Sequence, residues 1–275
     1  MSLKYQSTKA TREFTSGYAS LNGLNMYYEI HRPSGLASGR GTPLVLIHGG
    51  GSTIQTSFSK ILPLLAARYE VIAVELQGHG HTFDRDTAES FEQDANDVAA
   101  LLSYLQISKA NFLGFSNGGH TAMQIGITHP RNVHKLVLIS CFYKRDGTVA
   151  GFFDRMPDAT LDNMPEPLKT AYLQTHNDTN GLQTMFTKDK ERMVHFKDWP
   201  DEQLQSIKSP TFIIAGDQDV VTPEHALKMA KIIPHAQLMI LPGTHGSFIG
   251  EICTATEGSK LPEATVSIIA EFLDK

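Results

Sequence analysis

The stretch Gly114-Phe115-Ser116-Asn117-Gly118 decides how this chain folds. It follows a short apolar run, Asn111-Phe112-Leu113, and precedes a stretch compatible with an α-helix. A serine between two glycines in this strand-turn-helix context is typical of a sharp turn that points the serine hydroxyl outward. A side chain at either glycine would collide with neighbouring backbone, because the turn holds its central residue in a strained conformation. An ordinary polar turn is the alternative interpretation. Ser116 is therefore a candidate nucleophile.

The pattern around this turn predicts an α/β fold. Runs that are apolar at every position are typical of strands buried on both faces of a parallel sheet. The segment between Phe91 and Leu105 repeats apolar residues every three or four positions, which predicts an amphipathic helix. Strands alternating with helices predict a doubly wound sheet. The apolar runs are Leu44–Ile47, Val71–Val74, Leu136–Ile139 and Phe212–Ala215, and a further strand is predicted at Leu238–Leu241.

The chain before the first apolar run predicts a β-hairpin over Tyr18 to His31. Asn22-Gly23 supplies the two residues that a tight hairpin turn needs. Apolar and polar residues alternate along the second arm, which predicts a strand with one solvated face. The segment Pro33 to Gly41 is rich in glycine and serine and is expected to form a loop.

Residues 142–209 contain no buried-strand run and are expected to be helical. We divide the chain into a first core part (1–141), a helical lid insertion (142–209) and a second core part (210–275). Methionines and aromatic residues are frequent in the insertion, and they suit either an adaptable apolar lining or simple packing onto the core. These residues are Met156, Met164, Met185, Met193, Phe152, Phe153, Phe186 and Trp199.

Composition argues against several classes of protein. The formal net charge of the 275-residue chain is −5 and its basic residues are not clustered, so neither nucleic acid nor a membrane is expected as a partner. Two cysteines cannot form a disulfide framework, and the first twenty residues contain no apolar signal region, so we expect a cytoplasmic protein. No Walker loop is present, and Ile54 interrupts a possible G-x-G-x-x-G pattern, so no cofactor is implied.

Reactive groups follow several of the predicted strands. Loops at the carboxyl ends of parallel strands are where open α/β sheets bind ligands. Besides Ser116, these ends contain His48-Gly49-Gly50-Gly51, Gly216-Asp217-Gln218-Asp219 and Pro242-Gly243-Thr244-His245. Serine needs a base within hydrogen-bond reach, and imidazole titrates near neutral pH. His245 is therefore the candidate base, and a buried carboxylate would orient it.

The order Ser, Asp, His, together with the His-Gly-Gly-Gly loop, resembles the α/β-hydrolase superfamily over nearly the whole chain. The segments Gly114–Gly119 and Gly78-His79-Gly80-His81-Thr82 most resemble its branch of small esterases, 3-oxoadipate enol-lactonases and cofactor-free haloperoxidases. The resemblance implies an eight-stranded, mostly parallel sheet with a helical lid after the sixth strand. It also implies that Asp219 is the acid, with Asp217 as the alternative that more simply braces its loop.

The resemblance further implies an oxyanion hole made by the backbone N–H groups of Gly50 and Asn117. Two features depart from the family pattern. Glu75 and Gln77 stand where relatives usually have aspartate and arginine, which should alter a structural loop. The segment 248–260 is longer than the usual link to the last helix, and it is expected to reshape the mouth of the site.

The remaining polar residues have simpler interpretations. His79 and His81 form an H-x-H pair, but the residues that follow do not provide the other ligands of a metal centre. The alternating charges of Lys188–Arg192 predict a solvated helix face, and they do not indicate whether the substrate is anionic. Structural, capping, surface or packing roles are expected for His48, His120, Cys141, His225 and His235.

The leading hypothesis is a serine hydrolase that cleaves a small carboxylic ester or lactone through an acyl-enzyme, with no metal or cofactor. Its expected catalytic residues are Ser116, Asp219 and His245. The same three residues could instead serve perhydrolysis, C–C bond cleavage or a lyase reaction, because the fold does not fix the substrate. A small-molecule receptor that retains the fold is a third hypothesis.

Overall fold

The computed structural model of the chain describes residues 14–33 and 41–275. Within these ranges the chain forms one eight-stranded sheet flanked by helices. The loop predicted from Pro33 to Gly41 lies outside the described residues, apart from its two end residues. The strands are β1 (Phe14–Leu21), β2 (Leu24–His31), β3 (Leu44–Ile47), β4 (Val71–Val74), β5 (Ala110–Phe115), β6 (Val133–Ile139), β7 (Thr211–Gly216) and β8 (Ala236–Leu241). The α-helices are α1 (Ile54–Phe58), α2 (Leu62–Leu65), α3 (Phe91–Tyr104), α4 (Asn117–Thr128), α5 (Phe152–Arg155), α6 (Glu166–His176), α7 (Thr179–Val194), α8 (Asp201–Gln205), α9 (Pro223–Ile232) and α10 (Leu261–Asp274).

The strand order of the sheet is β1-β2-β4-β3-β5-β6-β7-β8. β2 pairs antiparallel with β1 and with β4, whereas all the other neighbours are parallel. This mostly parallel, eight-stranded sheet confirms the predicted fold class. Because β3 and β5 to β8 run in the same direction, their carboxyl ends open on one edge of the sheet, where such folds bind ligands.

The central strands are buried on both faces, as their apolar sequences predict. Every residue of β3, β4, β5 and β7 is buried. One face packs against α3, α4 and α9, with Phe91 and Met229 in the core, and the other packs against α1, α2 and α10, with Phe58 and Phe272. Burial of one such side chain contributes about 1.5–3 kcal/mol. None of the helices in residues 14–33 and 41–275 is long and apolar enough to cross a membrane.

The amino-terminal hairpin forms as predicted. Asn22 has a φ of 47° and Gly23 a φ of 78°, the left-handed pair that a type I′ turn requires. The predicted solvated face of β2 is exposed only at Asn25, and the prediction is wrong for Tyr27, Glu29 and His31, which are buried. His31 Nε2 lies 2.7 Å from Glu29 Oε2, and the ring of Phe14 stacks on the His31 imidazole. The two polar groups are therefore buried as a hydrogen-bonded pair.

Residues 142–209, called the helical insertion below, interrupt the alternation of strands and helices. The insertion contains α5 to α8, leaves the sheet after β6 and returns to it at β7. One part joins the main core through Phe153, Phe196 and Trp199. Another part forms a separate cluster, which consists of Met164, Tyr172, Leu182 and Met185. The insertion therefore rests on the core at one end and encloses apolar side chains of its own at the other.

A buried lysine attaches the last helix to the sheet. Lys135 in β6 donates from Nζ to the carbonyl oxygens of Phe272 and Leu273, at 2.9 and 3.0 Å. These carbonyls belong to the last turn of α10, where a positive charge also complements the helix dipole. Lys135 thus satisfies two helix-end acceptors that have no partner within their own helix.

We expect Lys135→Met to lower the free energy of unfolding by about 1–3 kcal/mol, because two buried acceptors lose their donor. Urea denaturation followed by circular dichroism measures the change. Lys208→Met is the matched control, since Lys208 is exposed and, among the described residues, bonds only to the nearby Gln205 carbonyl. Equal losses in the two variants would contradict the role assigned to Lys135.

Candidate active site

Ser116 occupies a strained turn between β5 and α4. Its φ of 55° and ψ of −120° are unusual for a residue with a side chain. A Cβ atom on Gly114 would lie 2.1 Å from the carbonyl oxygen of Gly118, and one on Gly118 would lie 2.1 Å from the Ile47 oxygen. Both contacts are far inside van der Waals distance, which confirms the predicted reason for the two glycines. The turn therefore holds the Ser116 hydroxyl at the carboxyl edge of the sheet.

The structure brings Ser116, His245 and Asp219 together, although they are far apart in the sequence. His245 Nε2 lies 3.0 Å from Ser116 Oγ, and His245 Nδ1 lies 2.7 Å from Asp219 Oδ1. The Asp219 carboxylate is fully buried, whereas the His245 side chain is 28% exposed. The arrangement can pass a proton from the serine hydroxyl to the imidazole while the carboxylate fixes the tautomer.

Several hydrogen bonds hold Asp219 in its charged form. Its Oδ2 accepts from Ser140 Oγ at 2.5 Å, and its Oδ1 accepts from the Val220 N–H at 2.7 Å. Burial by itself would raise the pKa of Asp219, but the bonds from His245 and Ser140 hold that pKa below its ordinary value. Ser140 follows β6 with a φ of 53°. Sequence analysis missed Ser140, for which its place at a strand end was the only signal.

Asp217, the alternative acid, is exposed and does not reach His245. Its Oδ1 accepts from the Gly243 N–H at 2.8 Å and so connects the loop after β7 to the loop after β8. This bond is the bracing role predicted for it. The extended segment 248–260 supports the same region, because Thr254 Oγ1 donates to the carbonyl oxygen of His245 at 2.9 Å. The position of His245 is therefore fixed from two sides.

The loop His48–Gly51 follows β3 and lies against the turn at Ser116. His48 Nδ1 lies 2.7 Å from the Gly49 carbonyl oxygen, and His48 Nε2 accepts from the Leu76 N–H at 3.0 Å. Burial lowers the pKa of His48 to about 4, so this imidazole is neutral and structural, as predicted. It fixes the peptide group that joins Gly49 to Gly50.

The two N–H groups predicted to form an oxyanion hole lie at one cavity. Among the described residues, the Gly50 N–H makes no hydrogen bond. Asn117 is the first residue of α4, so its N–H has no partner within the helix. Gly50 and Asn117 both line a cavity of about 290 Å³. The two residues predicted to supply the oxyanion hole therefore share one cavity.

The rest of this cavity is formed by the helical insertion and is mostly apolar. Four of its lining residues are methionines, whose flexible thioethers adapt to ligands of different shape. The aromatic residues predicted for the lid have two locations. Phe186 lines the cavity, whereas Phe153 and Trp199 pack in the core. The insertion residues at the cavity are Met156, Ala159, Thr160, Asn163, Met164, Pro165, Leu168, Met185, Phe186, Asp189, Lys190 and Met193.

The prediction that Lys188–Arg192 forms a solvated helix face is wrong for two of its members. Asp189 and Arg192 are each only 8% exposed. Arg192 pairs with Asp189 one turn away, and its Nη1 lies 2.8 Å from Asp94 Oδ2 in α3. Alternating charges along a helix do not reveal which of them meet partners from other segments. Glu191 does face solvent, as predicted.

The residues that depart from the family pattern stabilise the loop after β4. The buried Glu75 carboxylate accepts from the N–H groups of Ile54 and His81, at 3.2 and 2.6 Å. Gln77 Nε2 donates to Asp84 Oδ1 at 2.7 Å. Gln77 therefore acts within the loop and Glu75 connects the loop to the start of α1, so both side chains have structural contacts.

Of the other histidines and the cysteine, one differs from expectation. His225 lies in the first turn of α9 but is buried, and its Nε2 accepts from the Tyr143 N–H at 3.3 Å. His120 Nδ1 bonds the Ser116 carbonyl oxygen at 3.0 Å, and Cys141 is buried against Gly119, as predicted. His235 is exposed, also as predicted.

Comparison with known proteins supports the fold described above. The chain matches the alpha/beta hydrolase fold family over residues 42–193. Human serine hydrolase BPHL is 27% identical over 250 residues, which cover 84% of this chain and 80% of the relative. The enol-lactonase from Burkholderia xenovorans LB400 superposes with a TM-score of 0.70 at 20% identity, covering 94% of this chain and 100% of that structure. A mutant meta-cleavage product hydrolase from Pseudomonas fluorescens IP01 gives a TM-score of 0.74 at 20% identity, covering 94% and 97%. Since the family match spans more than half of the 275 residues, this chain belongs to the α/β-hydrolase fold family.

Proposed function

We propose that this chain is a serine hydrolase that cleaves a carboxylic ester or lactone through an acyl-enzyme. The observation that carries the proposal is the series of hydrogen bonds from Ser116 Oγ to His245 Nε2 at 3.0 Å and from His245 Nδ1 to Asp219 Oδ1 at 2.7 Å. Serine is a weak nucleophile until a base takes its proton. The proposal assigns that role to His245.

The reaction has two halves. In the first, Ser116 Oγ attacks the carbonyl carbon while His245 Nε2 takes the hydroxyl proton, and His245 then gives that proton to the departing alkoxide. In the second, a water molecule gives a proton to His245 and attacks the acyl-enzyme. His245 then returns that proton to Ser116 Oγ as the carboxylic acid leaves. Asp219 stays charged throughout and stabilises the imidazolium that forms in each half.

The N–H groups of Gly50 and Asn117 are the proposed oxyanion hole. Negative charge develops on the carbonyl oxygen when the serine adds, and fixed donors lower the energy of that state without reorganising. The Gly50 N–H is free of other hydrogen bonds among the described residues, and both residues line the same cavity. This arrangement supports the assignment.

The acyl part of the substrate is proposed to be apolar and to occupy the cavity of about 290 Å³. Methionine, leucine, phenylalanine, alanine and proline residues of the helical insertion form most of its wall, and such a wall favours hydrocarbon over charged groups. The insertion thereby acts as the lid over the site. Thr160, Asn163 and Lys190 are its polar lining residues on the insertion that are not buried.

Other reactions with the same three residues are the alternatives. The structural likeness to a meta-cleavage product hydrolase makes C–C bond cleavage the first of these. A panel of esters, lactones and vinylogous diketones, with a peracid assay alongside, separates the reactions. Diketone turnover far above ester turnover would replace the proposal by C–C cleavage. Tight ligand binding without any turnover would favour a receptor.

A fluorophosphonate probe tests the activated serine before any substrate is known. We expect covalent labelling at Ser116 alone, because only a serine beside a base reacts readily with such a probe. Peptide mass spectrometry locates the adduct. Ser116→Ala should abolish labelling and lower kcat on an ester by on the order of 10⁶-fold. Labelling that persists in this variant would contradict the proposal.

The two acids after β7 provide a matched pair of variants. We expect Asp219→Asn to lower kcat by roughly 10³–10⁴-fold, because an amide cannot fix the correct imidazole tautomer. Asp217→Asn should change kcat by no more than about fivefold, since Asp217 braces a loop through one exposed hydrogen bond. Steady-state kinetics with a p-nitrophenyl ester measures both. The reverse ranking would make Asp217 the catalytic acid.

A further inference from the structure

An acid from the helical insertion contacts the loop that contains Gly50. Asp189 lies in α7, and its Oδ2 accepts from the Gly51 N–H at 2.5 Å. Its Oδ1 accepts from Asn117 Nδ2 at 3.2 Å. One carboxylate therefore bonds both segments that supply the proposed oxyanion donors, and it comes from a helix far along the sequence from either of them.

Asp189 leaves the proposed donors themselves free. The N–H that it binds belongs to Gly51, whereas the preceding N–H, on Gly50, makes no hydrogen bond within residues 14–33 and 41–275. On Asn117 it binds the side-chain amide and not the backbone N–H. The space is tight, because a Cβ on Gly50 would lie 2.4 Å from Asn117 Nδ2 and 3.0 Å from Asp189 Oδ2. Asp189 therefore holds both segments while the backbone N–H groups of Gly50 and Asn117 stay free of it.

His79, from the loop after β4, supports this carboxylate. Its Nδ1 lies 2.7 Å from the Gln77 carbonyl oxygen and its Nε2 lies 3.0 Å from Asp189 Oδ2. The Gly51 N–H also lies 3.1 Å from His79 Nε2, so it is the Asp189 carboxylate beside that nitrogen that favours the positively charged imidazole. Burial alone would lower the pKa of His79, but the Asp189 carboxylate raises it to about 9.

Arg192 supplies a second positive charge one turn along α7. Its guanidinium pairs with Asp189 and with Asp94, and it lies 3.5 Å from Glu89. Burial raises the pKa of Glu89 to about 8, so this acid is mostly neutral at pH 7. Two cations therefore face the carboxylates of Asp189 and Asp94. This balance matters because an uncompensated carboxylate beside the oxyanion hole would oppose the charge that develops there.

We propose that Asp189 is a positioning residue that orders the oxyanion loop and makes its geometry depend on the helical insertion. The effect on catalysis rests on the proposed function, whereas the contact between Asp189 and the loop does not depend on that function. When α7 is packed in place, Asp189 holds the Gly51 peptide and the Asn117 side chain. When Asp189 is removed, the glycine-rich loop loses its fixed acceptor and the Gly50 N–H is no longer held in one direction.

Asp189→Asn is the first test, with Glu191→Gln as the matched control. The amide keeps the shape of the side chain but loses its charge and one acceptor, so we expect kcat to fall about 10–100-fold, with KM changed by less than about threefold. Glu191 lies on the same helix, is exposed and pairs with His195 at the surface. Its variant should retain wild-type kcat and KM.

Hydrogen exchange gives a readout that does not depend on catalysis. We expect faster exchange in the peptide that covers residues 48–53 of Asp189→Asn, with unchanged exchange in the buried strand β5, whose protection verifies folding. Asp189→Glu retains the charge but displaces the carboxylate, and it should show an intermediate loss of kcat. If Asp189→Asn does not fold, the same comparisons are made with Asp189→Glu.

The outcomes separate this inference from the proposed function. A kcat within twofold of wild type, or an effect on KM alone, overturns the positioning role. Unchanged exchange in residues 48–53 overturns it as well. If the wild-type serine is neither labelled nor active, the proposed function fails, and the exchange experiment still decides whether Asp189 orders the loop.

Discussion

The site depends on a steric constraint at two glycines. Ser116 can hold a φ of 55° only because Gly114 and Gly118 have no side chains, since a Cβ on either would lie 2.1 Å from a backbone oxygen. This lack of side chains lets β5, the turn and α4 pack closely against β3. The loop that follows β3 is thereby brought to the Ser116 side chain. The Ser116 hydroxyl and the glycine-rich loop are thus positioned by the same close packing, and the strain at Ser116 is offset by burial in the surrounding sheet.

The sheet and much of the site could be predicted because their signals are local. Runs such as Leu44–Ile47 are apolar at every position only where both faces of a strand are covered, and Asn22-Gly23 fits few conformations besides a hairpin turn. The strand ends indicated which loops would meet, and the family resemblance selected Asp219 over Asp217. His245 does contact Ser116, and Asp219 contacts His245. The loops that contain these residues could be expected to meet, because parallel strands end on the same edge of the sheet.

The sequence did not predict contacts between residues that are far apart along the chain. Asp189 and Arg192 stand in a run of alternating charges that looks solvated, and nothing near them in sequence indicates that His79 and Asp94 will cover them. The buried pair of Glu29 and His31 was missed for the same reason. Whether a charged side chain is buried depends on the segments that pack around it, whereas a periodic pattern describes only the segment in which it occurs.

The helical insertion has two faces with different physical roles. Its apolar residues around Met164 and Met185 form a wall that can adapt to a ligand, whereas its charged residues form a fixed network with the core. A wall of flexible thioethers cannot hold a loop in one direction, because dispersion contacts are not directional. Charge-assisted hydrogen bonds are directional and are stronger when buried. An insertion that combines an adaptable wall with a fixed contact to the core therefore needs both kinds of contact. α7 contributes to each, with Met185 and Met193 at the cavity and Asp189 at the loop.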